Sequence, residues 1–345
     1  MKKYRAAIVG CGGRSSAFAG THKYIDRAEL VACCSLDKEQ TEKTAERYGI
    51  RGYPDAALMI ETEKPDLVHL VTPPRTRVEL MTLVSSLGVP ACTVEKPIAI
   101  GVRDWKALSD LERTTKTKFG VSHQFRWQPH LVKCREAIES GELGKPLFVD
   151  ASAGLTITDQ GTHSLHYGNS LNGDRQVVRV FGAISGWGND EYHPGPVNSV
   201  GYITFDNGVR MLWNTGPTAP VCGDPEMSYQ HVRAAAYAER GRVLWEEFGK
   251  WEIVGPNGVQ SGDYGGREEW RANNIKAQTA FHEEMIDWLE DDSKPAGTNL
   301  KRSLHEWKAV LALYASSLTR SPIIMDEFDP TECKPLVELC ASFGR

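Results

Sequence analysis

The chain lacks several features that would have assigned it elsewhere. Its eight cysteines contain no CxxC pair, so neither a zinc ribbon nor a redox motif is spelled out. Adjacent Cys33 and Cys34 fall in an apolar stretch and read as small core residues kept reduced. No apolar run is long enough to span a bilayer. The first one opens within a few residues of Met1, leaving no room for a signal peptide, so a cytoplasmic protein is expected. No block of Lys and Arg occurs, and the formal net charge is −5 with a pI near 6.1. That balance argues against nucleic acid or an anionic membrane as partner. Internal repeats and low-complexity segments are absent too. What remains is an ordinary globular composition over 345 residues, 41% hydrophobic and 25% charged, enough for two domains with sizeable cores.

The first third alternates strand and helix. Apolar runs at 29–35, 67–71, 91–95 and 118–123 predict strands. Helical patterns fill 38–48, 56–61, 77–87 and 103–115, with Asp55 as an N-cap and Gly49 and Gly88 as stops. Repeated β-α units imply a parallel sheet with right-handed crossovers and helices on both faces. Ligands of such sheets gather beyond the carboxyl ends of the strands, where Gly10, Ser35, Thr72, Glu95 and His123 fall.

The turn after the first strand is rich in glycine. Gly10-x-Gly12-x-x-Ser15 follows the dinucleotide pattern except that Ser15 replaces a final Gly or Ala. A helix opened by Ser15 and Ser16 would aim bare N–H groups and a positive dipole end at a pyrophosphate. Past residue 124 the texture changes. A helix at 129–140 precedes β-type runs at 146–153, 177–186, 199–205, 209–214, 242–247 and 251–254. Asp206-Asn207-Gly208 and Pro256-Asn257-Gly258 signal hairpins, helices follow at 274–290 and 301–320, and 214–229 reads as a long loop. The predicted fold class is α/β: a doubly wound parallel sheet over 1–123, then an α+β domain over 124–345 with a mostly antiparallel sheet.

Two motifs bear chemistry. Glu95-Lys96-Pro97 ends a strand at the cleft edge, where the Lys96 ammonium would reach a bound cofactor. Asp159-Gln160-Gly161-Thr162-His163 leads to His166. If a helix has begun by Asp159, Asp159 and His163 share a face, and His163 and His166 are neighbours. A carboxylate beside an imidazole suits proton transfer. Zinc is disfavoured here, since three ligands from one short helix rarely meet tetrahedral geometry, and no metal is expected.

In their order along the chain the glycine turn, Thr72-Pro73-Pro74, Glu95-Lys96-Pro97 and Asp159-x-Gly161-x-His163 resemble the Gfo/Idh/MocA family of NAD(P)-dependent oxidoreductases. The resemblance implies a Rossmann domain (Gly10, Gly12, Gly13, Arg14 and Ser15 at the cofactor) and an open-faced sheet that forms homodimers or homotetramers. It implies a small sugar or cyclitol substrate oxidised at a secondary alcohol. Lys96 is similar to the family's alkoxide-stabilising lysine, His163 to its proton acceptor, and Asp159 to the acid that orients both. Thr72 and Pro73 resemble the loop under the nicotinamide ribose, and Glu95 belongs to that cofactor edge. His123 and Arg126 lie in a substrate-side segment.

Two departures follow. His166 stands where relatives often carry a second acid, which alters a substrate contact. Ser35 stands where NAD-preferring relatives carry an acid. Ser35 with Lys38 or Arg14 would suit NADP, whereas Asp37 would bind the ribose diol of NAD. Two competing readings keep the cofactor: a redox-neutral glycosidase or lyase that oxidises its sugar transiently, and a non-catalytic dinucleotide sensor.

Overall fold

The structure is a computed structural model that describes residues 3–188, 192–220, 223–224, 226–227 and 230–343. Of the stretch read as a long loop, Val221, Cys222, Pro225, Ser228 and Tyr229 lie outside the described residues. The chain forms two compact units. One comprises Met1–Ala99, Lys106–Gln124 and Ile275–Leu304, the other Ile100–Trp105, Phe125–Asn274 and His305–Arg345. The units are therefore interleaved in sequence, and a late segment returns to the first.

The first unit is built on β1 (Tyr4–Val9), β2 (Ala28–Cys34), β3 (Arg51–Tyr53), β4 (Leu67–Leu70), β5 (Ala91–Glu95) and β6 (Lys118–Ser122). All pairings are parallel, in the order β3-β2-β1-β4-β5-β6. The helices are α1 (Ser15–Ala19), α2 (Lys38–Tyr48), α3 (Ala56–Glu63), α4 (Arg77–Ser86) and α5 (Val102–Thr114). The helix after the glycine turn is short. After five residues it tightens into a 3-10 turn, Gly20–Tyr24.

Local chemistry accounts for the rest. Asp37 caps α2 through the Gln40 amide at 3.1 Å, and Gly49 ends it at φ 64°. Asp55 caps α3 through Leu58 at 2.8 Å. These side chains satisfy amides that the first helical turn leaves without partners.

The second unit holds α6 (Pro129–Glu139), β7 (Pro146–Ala153), α7 (Thr162–Ser170), β8 (Val177–Ser185), β9 (Asn198–Phe205) and β10 (Arg210–Thr215). It continues through β11 (Val232–Ala238), β12 (Gly241–Glu246), β13 (Lys250–Gly255) and β14 (Gly258–Asp263). The chain then runs through α8 (Gly266–Glu290), α9 (Leu300–Thr319), β15 (Ile323–Ile324) and α10 (Lys334–Cys340). Its nine strands are ordered β14-β13-β12-β11-β7-β10-β9-β8-β15. Every pair is antiparallel except β7 with β10.

Both predicted hairpins form, between β9 and β10 and between β13 and β14. One sheet face lies against helices. At Gly182 an added Cβ would come within 2.1 Å of Leu313 on α9, so glycine there lets the helix sit close. The alternate positions Phe181, Tyr202, Leu212 and Tyr237 stay exposed. That pattern marks an antiparallel sheet with one uncovered face.

Candidate active site

The glycine turn has the shape a nucleotide requires. Gly10 adopts φ 101°, and a Cβ there would meet the Val71 carbonyl oxygen at 2.3 Å, so no other residue fits. Its N–H donates to the Cys34 carbonyl at 2.8 Å, tying the turn to β2. Gly12 and Gly13 are exposed, and a Cβ on either would meet nothing within 4 Å. Their backbone edge is open to a ligand, as a pyrophosphate cradle must be. The residues present therefore fit NAD(P). Ser15 closes the turn through its hydroxyl and amide, both donating to Gly12 O at 2.6 and 3.0 Å.

Arg14 turns away from the end of β2. Its Nε donates to Glu95 Oε1 at 2.8 Å and its guanidinium reaches Gln278 at 3.3 Å. Glu95 ends β5, on the opposite side of β1 from β2, so Arg14 is spent far from the ribose 2′ position that a strand-end acid or base would read. Ser35 is half-buried just past β2, while Asp37 and Lys38 are exposed. Asp37 is committed to capping, and Lys38 lies 3.7 Å from Glu42.

Thr72 and Pro73 are half-buried between β4 and α4, with the Thr76 hydroxyl 2.9 Å from both Thr72 Oγ1 and Pro73 O. Lys96 follows β5, half-buried, and its bond to Pro97 is cis. His123 is buried just past β6; among the described residues the Oγ of its chain neighbour Ser122 and the Oε1 of Gln124 have no hydrogen-bond partner. Arg77, the first residue of α4, is fully buried and, among the described residues, has no hydrogen-bond partner for Nε, Nη1 or Nη2. Burial pulls it down to about 10, against the opposing influence of Glu95.

In the second unit the Asp159 motif is helical but not uniformly α. Ile157–Gly161 is a π turn, closed by Thr162 N–H donating to Ile157 O, and α7 follows directly. Asp159 therefore lies in the wide turn, and His163 in the first turn of the α-helix. Such π segments are common at functional sites. Every residue of α7 is buried, although six of its nine, THSLHYGNS, are polar. Buried polar groups need partners. His163 Nδ1 meets the Tyr167 hydroxyl at 2.9 Å, with the two rings stacked 5.5 Å apart. Trp213 Nε1 donates to Ser164 Oγ at 2.9 Å. Asp159 Oδ1 lies 3.8 Å from His193 Nε2. Gln160 Oε1 and Thr162 Oγ1 are buried and have no hydrogen-bond partner among the described residues.

His166 forms a buried network of its own. Nδ1 lies 3.1 and 3.0 Å from the two carboxylate oxygens of Glu306 on α9. On the other side Nε2 is 3.4 Å from Arg126 Nη1. Arg126 also holds Asp174 with both terminal nitrogens, at 2.9 and 2.5 Å. A neutral ring with its proton toward Glu306 satisfies both neighbours, since Nε2 then accepts from the arginine.

Tyr167, Asp174 and Glu306 went unnoticed in the sequence. Tyr167 had a signal, its four-residue spacing from His163. Glu306 had none, because 140 residues separate it from His166.

A separate cleft of about 360 Å³, lined by Glu112, Thr115, Trp288, Pro295 and Lys301 among others, opens beside the start of β6. That is the opposite end of the strand from the glycine turn's side of the sheet. It is not the site.

A six-stranded parallel sheet with an open glycine turn at the end of β1 defines a dinucleotide-binding fold. Residues 4–123 match the family model GFO_IDH_MocA, the oxidoreductase family with an NAD-binding Rossmann fold. The chain thus has the NAD(P)-binding fold of the Gfo/Idh/MocA oxidoreductases, and its first 120 or so residues belong to that family's Rossmann domain.

Among relatives, a D-apiose dehydrogenase of Paraburkholderia graminis is 30% identical over 203 residues, 54% of this chain and 53% of that protein. The match thus spans about half of that relative's length. A D-apiose dehydrogenase of Rhizobium rhizogenes is 26% identical over 288 residues, 76% of this chain and 79% of that one. An oxidoreductase from Agrobacterium radiobacter, solved with NAD+, L-tartaric acid and magnesium, shares the fold with a TM-score of 0.80. It is 19% identical, and the likeness covers 94% of this chain and 99% of that one.

Proposed function

We propose that the protein is an NAD(P)-dependent oxidoreductase interconverting a secondary alcohol and a ketone on a sugar, sugar derivative or cyclitol. The supporting observation is the Asp159–His163 segment. It joins a carboxylate and an imidazole held by the Tyr167 hydroxyl. That pairing is the one that removal of a proton from a substrate hydroxyl requires.

In this reading His163 takes the hydroxyl proton and Asp159 orients substrate and ring. Lys96 holds the substrate oxygen as negative charge develops on it. His123, Arg126 and His166 shape the substrate side, Arg126 and His166 through the Glu306 and Asp174 network. The nicotinamide of bound NAD(P) supplies the hydride acceptor or donor. NAD is the better fit, because Arg14 is engaged with Glu95 and the Asp37 carboxylate near the end of β2 would repel a 2′-phosphate. The uncovered sheet face with Phe181, Tyr202, Leu212 and Tyr237 supports a homodimer or homotetramer.

The test is a panel of aldoses, cyclitols and glycosides with both cofactors, followed by absorbance of the reduced cofactor. D-apiose heads the panel, since two relatives bear that substrate in their names. Cofactor reduction by a polyol is expected. Sugar release with no net reduction would replace this reading by the redox-neutral one. Cofactor binding with no turnover of any member would leave the sensor.

A further inference from the structure

Three histidines far apart in sequence meet inside the first unit. His69 lies on β4 and is fully buried, as is His282 on α8, while His22 sits on the 3-10 turn after α1 with its Nδ1 shielded and unpartnered. One ring nitrogen from each lies within 4.8 Å of the others. His22 Nε2 and His69 Nε2 are 3.0 Å apart, and the ring centroids are separated by 5.2, 5.8 and 4.4 Å.

The outward nitrogens of His282 and His69 are already held. The Thr21 hydroxyl donates to Phe18 O at 2.7 Å, so at 2.9 Å from His282 Nδ1 it must accept. That places the proton on Nδ1 and leaves the lone pair on His282 Nε2, which the Gln278 amide nitrogen meets at 2.9 Å. His69 Nδ1 is likewise 2.6 Å from Thr93 Oγ1 on the adjacent strand. Imidazoles anchored through one nitrogen with the other converging are the arrangement of a histidine metal centre and its supporting shell.

We propose that His22, His69 and His282 form a binding site for a divalent transition ion of the zinc type. A zinc ion bound tetrahedrally at about 2.0–2.1 Å spreads its ligand nitrogens by about 3.3 Å; no pair here exceeds 4.8 Å, so closing the site draws a pair together by about 1.5 Å at most. The donor set is all nitrogen, which suits zinc, cobalt or copper and excludes calcium and magnesium. Three neutral ligands leave the dication its charge in a buried place. The fourth position therefore falls to hydroxide or another small anion, and His282 exchanges its Gln278 bond for the ion.

Tag-free full-length protein, dialysed against a chelator, is titrated with Co2+ and with Zn2+. One equivalent of cobalt giving the intense visible absorption of a tetrahedral centre, displaced by zinc, with a raised Tm, is the expected result. His22→Ala removes a ligand from the 3-10 turn and should abolish that spectrum while leaving NAD+ binding intact. Thr93→Val, which takes away only the support of His69, should weaken binding about 10–100-fold. No stoichiometric cobalt or zinc binding, or unchanged binding by His22→Ala, overturns the proposal. None of these readouts depends on turnover, so failure of the oxidoreductase reading would leave the result standing.

Discussion

The glycine turn of the first unit and α7 of the second illustrate opposite ways of making a site. The turn works with backbone. Gly12 and Gly13 are exposed and have no neighbour on their side-chain positions, and the one rigid demand falls on Gly10. The helix works with side chains. It is buried throughout, its polar groups are locked by Tyr167, Trp213, Glu306 and Arg126, and two oxygens have no hydrogen-bond partner among the described residues. A backbone cradle tolerates any sequence that keeps its glycines. A buried polar helix tolerates almost none, because each lost partner leaves another group desolvated.

Variants can sharpen that contrast. The largest expected effect is on turnover. His163→Ala should lower it about 10²–10⁴-fold, the usual worth of a positioned general base. Lys96→Ala should cost at least ~100-fold. Both should bind cofactor as the parent does by fluorescence titration; a variant with parental turnover removes its residue from the mechanism.

Gly10→Ala should act in the reverse sense and abolish cofactor binding first. Its φ alone strains an alanine by about 1–3 kcal/mol, and the approach to Val71 O at 2.3 Å adds a clash. A lower Tm with no measurable NAD+ affinity is expected, and parental affinity would mean that the turn does not hold the cofactor.

Glu306→Gln removes the charge that faces His166 and keeps the shape. Loss of about 1.5–3 kcal/mol of stability is expected, the range for hydrogen bonds to charged groups, read by urea denaturation. An unchanged midpoint would show that the network has no energetic weight.

The smallest effect is the pH response of His305. Burial lowers its pKa first and Lys308 adds to this, against Glu306 and Asp326, while its Nε2 accepts the Val177 amide at 2.9 Å. A histidine depressed in the folded state is charged more readily when unfolded. Its contribution is complete above the ordinary value near 6.5 and is lost as pH falls below it, by at most about 1.4 kcal/mol per pH unit. His305→Gln should flatten the stability profile between pH 6.5 and 5; an identical slope would overturn that assignment.

Much of the fold was legible because it is locally encoded. The helix expected at 38–48 is α2 to the residue, fixed by Asp37 before it and Gly49 after it. The strand runs at 91–95 and 146–153 are β5 and β7. Missed elements carry no local signal. The three residues of β3 are too few, the Val-Arg-Ala-Ala-Ala-Tyr-Ala run of β11 has no alternation, and β14 is mostly exposed. The same limit applies at the sites. The motifs containing Gly10, Lys96 and His163 are visible as strings, whereas the π turn at Asp159, the Arg14–Glu95 pair and the histidine trio are not.

By itself the sequence determined the parallel and antiparallel halves, the dinucleotide turn and the candidate acid–base residues. All of these rest on caps, periodicity and short motifs, in which the interacting groups lie within one or two turns of chain. Only the tertiary structure decided that 275–304 packs with the first unit and that Glu306 faces His166. It also turned Arg14 toward β5 and gathered His22, His69 and His282. Those pairings join residues separated by tens to hundreds of positions. They exist because burying apolar surface brings distant elements together, and nothing in the local chain announces which polar groups will then have to answer one another.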